Sequence, residues 1–111
     1  MLRERQCKPC EGGARPLDPL RIERYLEQVP GWRWSAGRRQ ISRHFDFNGF
    51  DRTMAFVNAV AWIAHRQGHH PDFRAGFDYC DVTLTTHAID GLTENDFICA
   101  ARINALTESV S

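Results

Sequence analysis

A helical stripe lies between two stretches of strict alternation, and few folds accommodate both. In "NGFDRTMAFVNAVAWIAHRQG", Phe50, Met54, Val57, Ala61 and Ala64 recur at steps of four and three, and Phe56, Val60 and Ile63 widen the stripe. Asn48 is the expected cap, and Gly68 the residue whose left-handed conformation stops the helix. Upstream, Ile41, Arg43, Phe45 and Phe47 alternate with Ser42, His44 and Asp46. Downstream, Cys80, Val82 and Leu84 share one face, and Tyr79, Asp81, Thr83, Thr85 and His87 the other.

The remaining segments fit this frame. "LDPLRIERYLEQVPGW" reads as a short helix with Asp18 as N-cap, Pro19 at its first position, and an apolar face of Leu20, Ile22, Tyr25 and Leu26. "WRWSAGRRQISRHFDF" reads as a hairpin turning at "SAGR", its arginines Arg33, Arg38, Arg39 and Arg43 taken as a solvated face. "DFRAGF" offers a short partner strand to 79–87. In "LTENDF", Thr93 starts the last helix, Asp96 follows at capping-box spacing, and Leu92 can staple onto Phe97. The order is α-β-β-α-β-β-α. Strands joined by hairpins with helices between the pairs predict an antiparallel α+β layer rather than a parallel doubly wound sheet.

Residues 1–16 read as a flexible leader, and residues 17–111 as one domain. Cys7 and Cys10 form a C-x-x-C that lacks the second pair a four-cysteine zinc site needs, so it is taken as part of that leader. Fourteen basic residues balance fourteen acidic ones, which argues against a general nucleic-acid binder. No apolar run approaches the roughly 20 residues of a membrane span, and the N-terminus has no secretory apolar core. The expectation is a cytoplasmic protein with reduced cysteines.

Three of the five histidines fall in "HRQGHHPDF". His65 and His69 stand one helical turn apart, His69 and His70 follow the helix stop, and Pro71 biases His70 toward extended backbone. His87 closes a strand. Two chemistries fit. His65-x-x-x-His69 has the spacing of a zinc helix, with His87 as a third ligand, but Arg66 stands where H-E-x-x-H has glutamate. Metal-free proton transfer needs only imidazoles that titrate near neutrality. His44, isolated on a strand, reads as a surface residue.

"HHPDF", "VTLTTH" and "DGLTENDF", with Gly31 and Trp32, resemble the pterin-4a-carbinolamine dehydratase family over about Leu17 to Leu106. The resemblance implies a four-stranded antiparallel sheet with three helices on one face. It implies loss of water from a 4a-hydroxytetrahydropterin to give the quinonoid dihydropterin, which recycles the cofactor of aromatic amino-acid hydroxylases. It implies no metal, no organic cofactor, and a homo-oligomer, a dimer or tetramer. By resemblance, His69, His70 and His87 are the catalytic set, with His70 and His87 as the proton-transfer pair and His69 as the orienting residue. His65, Pro71, Asp72, Trp32 and Asp96 are candidate substrate contacts. For Trp32 a core position at the start of a strand is the other reading, and for Asp96 the capping box is.

Two positions depart from the family pattern. His65 stands where many members have glutamate, and Ala88 follows His87 where many have aspartate. A non-catalytic binding or assembly module on the same fold is the competing function.

Overall fold

The computed structural model of the chain describes residues 1–9, 15–35, 37 and 39–108. Helix α1 spans Pro19–Leu26, strand β1 Arg33–Ser35, β2 Gln40–Asp46, helix α2 Phe50–Gln67, β3 Asp72–Ala75, β4 Tyr79–Leu84 and helix α3 Glu94–Glu108. The expected α+β order is the observed one. The four strands form one antiparallel sheet in the order β1-β2-β4-β3, with Ile41 opposite Leu84, Phe45 opposite Cys80, and Phe73 opposite Val82.

Alternation turns Ile41, Phe45, Cys80, Val82 and Leu84 to one face, where they are buried in a single cluster with residues of all three helices: Ile22 of α1, Phe56, Val57 and Val60 of α2, and Phe97, Ile98 and Ile103 of α3. Asp18 caps α1 by accepting the Arg21 N–H at 2.9 Å. Gly68, at φ 62°, ends α2 in the left-handed region where glycine has no Cβ penalty. The "SAGR" turn falls partly on residues outside those described.

Several local expectations are corrected. Asn48 does not cap α2. Gly49 does, at φ 113°, and no side chain caps there; the single Thr53 hydroxyl proton instead has the Gly49 carbonyl at 2.9 Å and the Phe77 carbonyl at 3.0 Å as acceptors. The buried line of α2 is Thr53, Phe56, Val57, Val60 and Ala64. Phe50 lies outside it, half exposed and stacked on Phe77, and Ala61 is exposed. Leu20 of α1 is also exposed. β4 stops at Leu84, so His87 does not close a strand; it sits in a turn held by a Thr86–Gly91 bridge.

Arg43 is not a solvated residue. It is half-buried, its guanidinium lies 4.4 Å from the Phe45 ring centroid, and Nη1 donates to Asn104 Oδ1 at 2.6 Å and to the Pro30 carbonyl at 3.1 Å. Gly31 makes room for it: at φ 91°, a Cβ there would come within 2.6 Å of Arg43 Nε.

The leader differs most. Leu2 is 3% exposed and joins the main buried cluster. Arg3 pairs with Glu108 through two bonds, and Arg5 with Glu94 at 2.7 Å. The physical reason lies in α3, which is buried from Asn95 to Ala101 without interruption. A helix buried on nearly every side needs cover on its outer face as well as its sheet face, and residues 1–9 run along it. Cys10 and residues 11–14 lie outside the described residues.

Candidate active site

The end of α2, the turn after β4, the start of α3 and the N-terminal segment meet around a cavity of about 480 Å³. Gln67 to His70 form one wall, Thr85 to Ala88 another, and Cys7 to Pro9 with Asn95 a third. His69, His70 and His87 all line it. The left-handed turn at Gly68 is what separates His69 from the helical line of His65: the His69 N–H still reaches back to the Ala64 carbonyl at 3.3 Å, but its side chain goes to α3.

His69 is the least exposed member of the set, its side chain 11% exposed. Its Nε2 lies 2.6 Å from Asp96 Oδ1. Asp96 is fully buried, and its other oxygen accepts the Thr86 hydroxyl at 2.8 Å and the Thr93 backbone N–H at 2.9 Å. Burial works against a charged His69 ring, but the Asp96 hydrogen bond and charge, with a smaller contribution from Cys7, outweigh it and raise the ring above the ordinary histidine range. His70 and His87 are exposed, and neither ring has a hydrogen-bond or ion-pair partner among the described residues.

The other candidates separate. Asp96 makes half of the capping box, through the Thr93 N–H, and also orients His69; it stands behind the ring rather than on the cavity wall. His65 is exposed and lies against Trp62, ring centroids 5.8 Å apart, away from the cavity lining. Pro71 and Asp72 lead into edge strand β3 and do not line it either. Trp32 is a core residue, 5% exposed, edge-on to Phe45, with Nε1 donating to Asn104 Oδ1 at 2.8 Å. His44 is exposed between Asp46 and Asp81 on the open face of the sheet. Among the described residues no three His, Cys, Asp or Glu side chains converge to hold a metal ion.

Sequence reasoning missed two sets of residues. Thr86 is an inconspicuous threonine within "TLTTH" until its bond to Asp96 is seen. Cys7 and Lys8 reach the site through bonds across the fold: the Cys7 N–H donates to Gln67 Oε1 at 2.8 Å, and the Asn95 amide pairs with both the N–H and the carbonyl of Lys8. No local pattern signals either contact.

The family model described as pterin 4 alpha carbinolamine dehydratase matches residues 15–106, which includes every histidine of the cavity. The chain belongs to the pterin-4a-carbinolamine dehydratase family. Among members bearing the pterin-4-alpha-carbinolamine dehydratase name, the protein of Nitrosomonas europaea is 51% identical over 97% of this chain and 95% of its own length. That of Stenotrophomonas maltophilia strain K279a is 48% identical over 98% and 94%. A crystal structure of a transcriptional coactivator/pterin dehydratase from Brucella melitensis superposes with a TM-score of 0.79 at 33% identity, over 82% of this chain and 97% of that one. A pterin dehydratase-like protein described as a RuBisCO assembly factor in the alpha-carboxysome superposes with a TM-score of 0.61 at 28% identity, over 71% and 92%. The dehydratase fold therefore also carries a protein whose described role is assembly.

Proposed function

We propose that this protein is a cytoplasmic hydro-lyase that dehydrates 4a-hydroxytetrahydrobiopterin to the quinonoid dihydropterin, using histidine acid/base chemistry and recycling the cofactor of aromatic amino-acid hydroxylases. The observation that carries the reading is the convergence of His69, His70 and His87 on one cavity in a chain of this family. The substrate must lose hydroxide from carbon 4a and a proton from N5. One group has to protonate the departing oxygen so that it leaves as water, and another has to accept the N5 proton, leaving a C4a=N5 double bond.

His70 and His87 suit those two transfers, because both rings are exposed on the cavity wall and an imidazole offers both a donor and an acceptor nitrogen. His69 suits a fixed role. Its Nε2 is committed to Asp96, so Nδ1 is the atom left for a bound pterin, and its raised pKa favours the charged, hydrogen-donating form. The Asp96, Thr86 and Thr93 bonds hold that ring in one orientation, the support that a rigid site requires.

A homo-oligomer is part of the proposal. Strand β3 is an edge of the sheet, exposed along its whole length and carrying Phe73, and such an edge accepts another strand. The second reading, an assembly module, draws on the likeness to the carboxysomal assembly factor. Rapid mixing with freshly generated 4a-hydroxytetrahydropterin separates the two. The enzyme reading expects dehydration well above the spontaneous rate; a rate equal to the spontaneous one supports the assembly module.

A further inference from the structure

The cavity wall contains a chemistry that the dehydration does not use. Cys7, in the N-terminal segment, and Cys99, in α3, have their sulfurs 3.7 Å apart. A disulfide needs about 2 Å between sulfurs, so closure asks for a small movement. Cys7 lies outside any helix or strand, which leaves its segment freer to make that movement than α3 is. The two thiols are unequal in access. Cys7 is half-buried on the cavity wall, open to a small molecule, whereas Cys99 is 1% exposed.

They are unequal in reactivity too. The hydrogen bond from Cys99 draws the Cys7 thiol below its ordinary range despite burial, and the nearby His69 charge helps; the same contact and burial push Cys99 up. An accessible sulfur that gives up its proton more readily than the shielded sulfur beside it is the arrangement of an attacking and a resolving cysteine.

We propose that Cys7 and Cys99 are a hydroperoxide-sensitive thiol pair that closes to a disulfide and ties the N-terminal segment to α3 at the wall of the cavity. The Cys7 sulfur attacks one peroxide oxygen, the O–O bond breaks, and Cys7 becomes a sulfenic acid while water leaves. The Cys99 sulfur then attacks the Cys7 sulfur, the S–O bond breaks, and the hydroxyl departs as a second water with the Cys99 proton. Two thiols and one hydrogen peroxide give one disulfide and two waters. Dithiol reductants reverse it. The inference stands apart from the dehydratase reading, since it needs only the two sulfurs and the access to Cys7.

The test uses the full-length reduced protein and stoichiometric hydrogen peroxide, followed by alkylation of remaining thiols and peptide mapping without reduction. The expected result is a loss of two hydrogens in the intact mass, a Cys7–Cys99 cross-linked peptide removed by dithiothreitol, and alkylated Cys10 and Cys80. The Cys10→Ser protein should form the same cross-link. The Cys99→Ala protein should lose it and accumulate oxidised Cys7 monomer. A Cys7–Cys10 disulfide in the wild type overturns the proposal, as does loss of the cross-link in Cys10→Ser, or a Cys7 that stays fully alkylatable after peroxide. Because the mapping on wild-type protein decides by itself, a variant that fails to fold does not remove the test.

Discussion

His69 Nε2 sits 2.6 Å from the Oδ1 of Asp96, a residue with no exposed surface. The contact joins the end of α2 to the start of α3 and gives a buried carboxylate three donors at once: the His69 ring, the Thr86 hydroxyl and the Thr93 N–H. Asp96→Asn replaces one acceptor oxygen with an NH₂ group that must face one of those donors. The variant should lose about 1.5–3 kcal/mol of stability, the range for a hydrogen bond to a charged group. The His69 ring should titrate lower, since burial opposing its charge remains while the carboxylate is gone. Thermal melts and histidine proton NMR measure the two effects.

The same pair gives stability a pH dependence of defined sign. The folded His69 pKa is raised above the ordinary histidine range, so the folded state binds the proton more tightly than the unfolded chain. That stabilisation is fully present below the unfolded value and is lost as pH rises through the folded one. The advantage of wild type over His69→Gln in urea denaturation should be largest in mild acid and shrink above neutrality. His44 is raised as well, by Asp46 and Asp81, but it is present in both proteins and cancels in the difference.

Burial of Leu2 at the start of the chain reverses what a Gly- and Pro-bearing leader suggests. Leu2→Ala should destabilise the fold by about 2 kcal/mol, the low end for a buried leucine because a peripheral segment packed on α3 relaxes more easily than a core helix. Deleting residues 1–9 should lower the melting temperature further by uncovering α3 and removing a wall of the cavity. An unchanged melt for both proteins would show that the segment contributes nothing in solution.

Trp32 tests whether a site resemblance and a core position can be told apart. Its indole donates to Asn104, which also accepts from Arg43. Trp32→Phe should cost stability, at least about 0.5–1.5 kcal/mol for the lost hydrogen bond, and leave KM for the pterin unchanged. A raised KM with an unchanged melt would assign Trp32 to the substrate.

The sequence made the frame legible because its periods are local. Alternation at 41–47 and 80–84 and the apolar period of α2 each depend on neighbours a few residues away; strands and helix appear where expected, while the buried line of α2 shifts to Thr53, Phe56, Val57, Val60 and Ala64. The helix start at Asp18 and the stop at Gly68 were readable for the same reason. The Asn48 cap failed because a glycine one residue later makes the turn. The site was legible as residue types and not as contacts. Resemblance to the family set His69, His70 and His87 apart from His65, but spacing still placed His65 beside the pocket, and the left-handed turn at Gly68 breaks the helical geometry that spacing assumes. Thr86 and the N-terminal segment were invisible because each enters through a tertiary bond.

In the proposed reaction, imidazoles on the cavity wall move the protons of a dehydration. Rapid-mixing kinetics on freshly generated 4a-hydroxytetrahydropterin near neutral pH, corrected for the spontaneous reaction, tests it most directly on His70→Ala, His87→Ala and His65→Ala, each first checked for fold by circular dichroism. Loss of a general acid or base should cost roughly 10²–10⁴-fold in turnover, and that is the result expected for His70→Ala and His87→Ala. His65, exposed against Trp62 and off the cavity wall, should lose about ten-fold at most, the scale of one supporting hydrogen bond. Turnover in His70→Ala and His87→Ala equal to wild type, or a His65→Ala protein as inactive as either, would contradict the account.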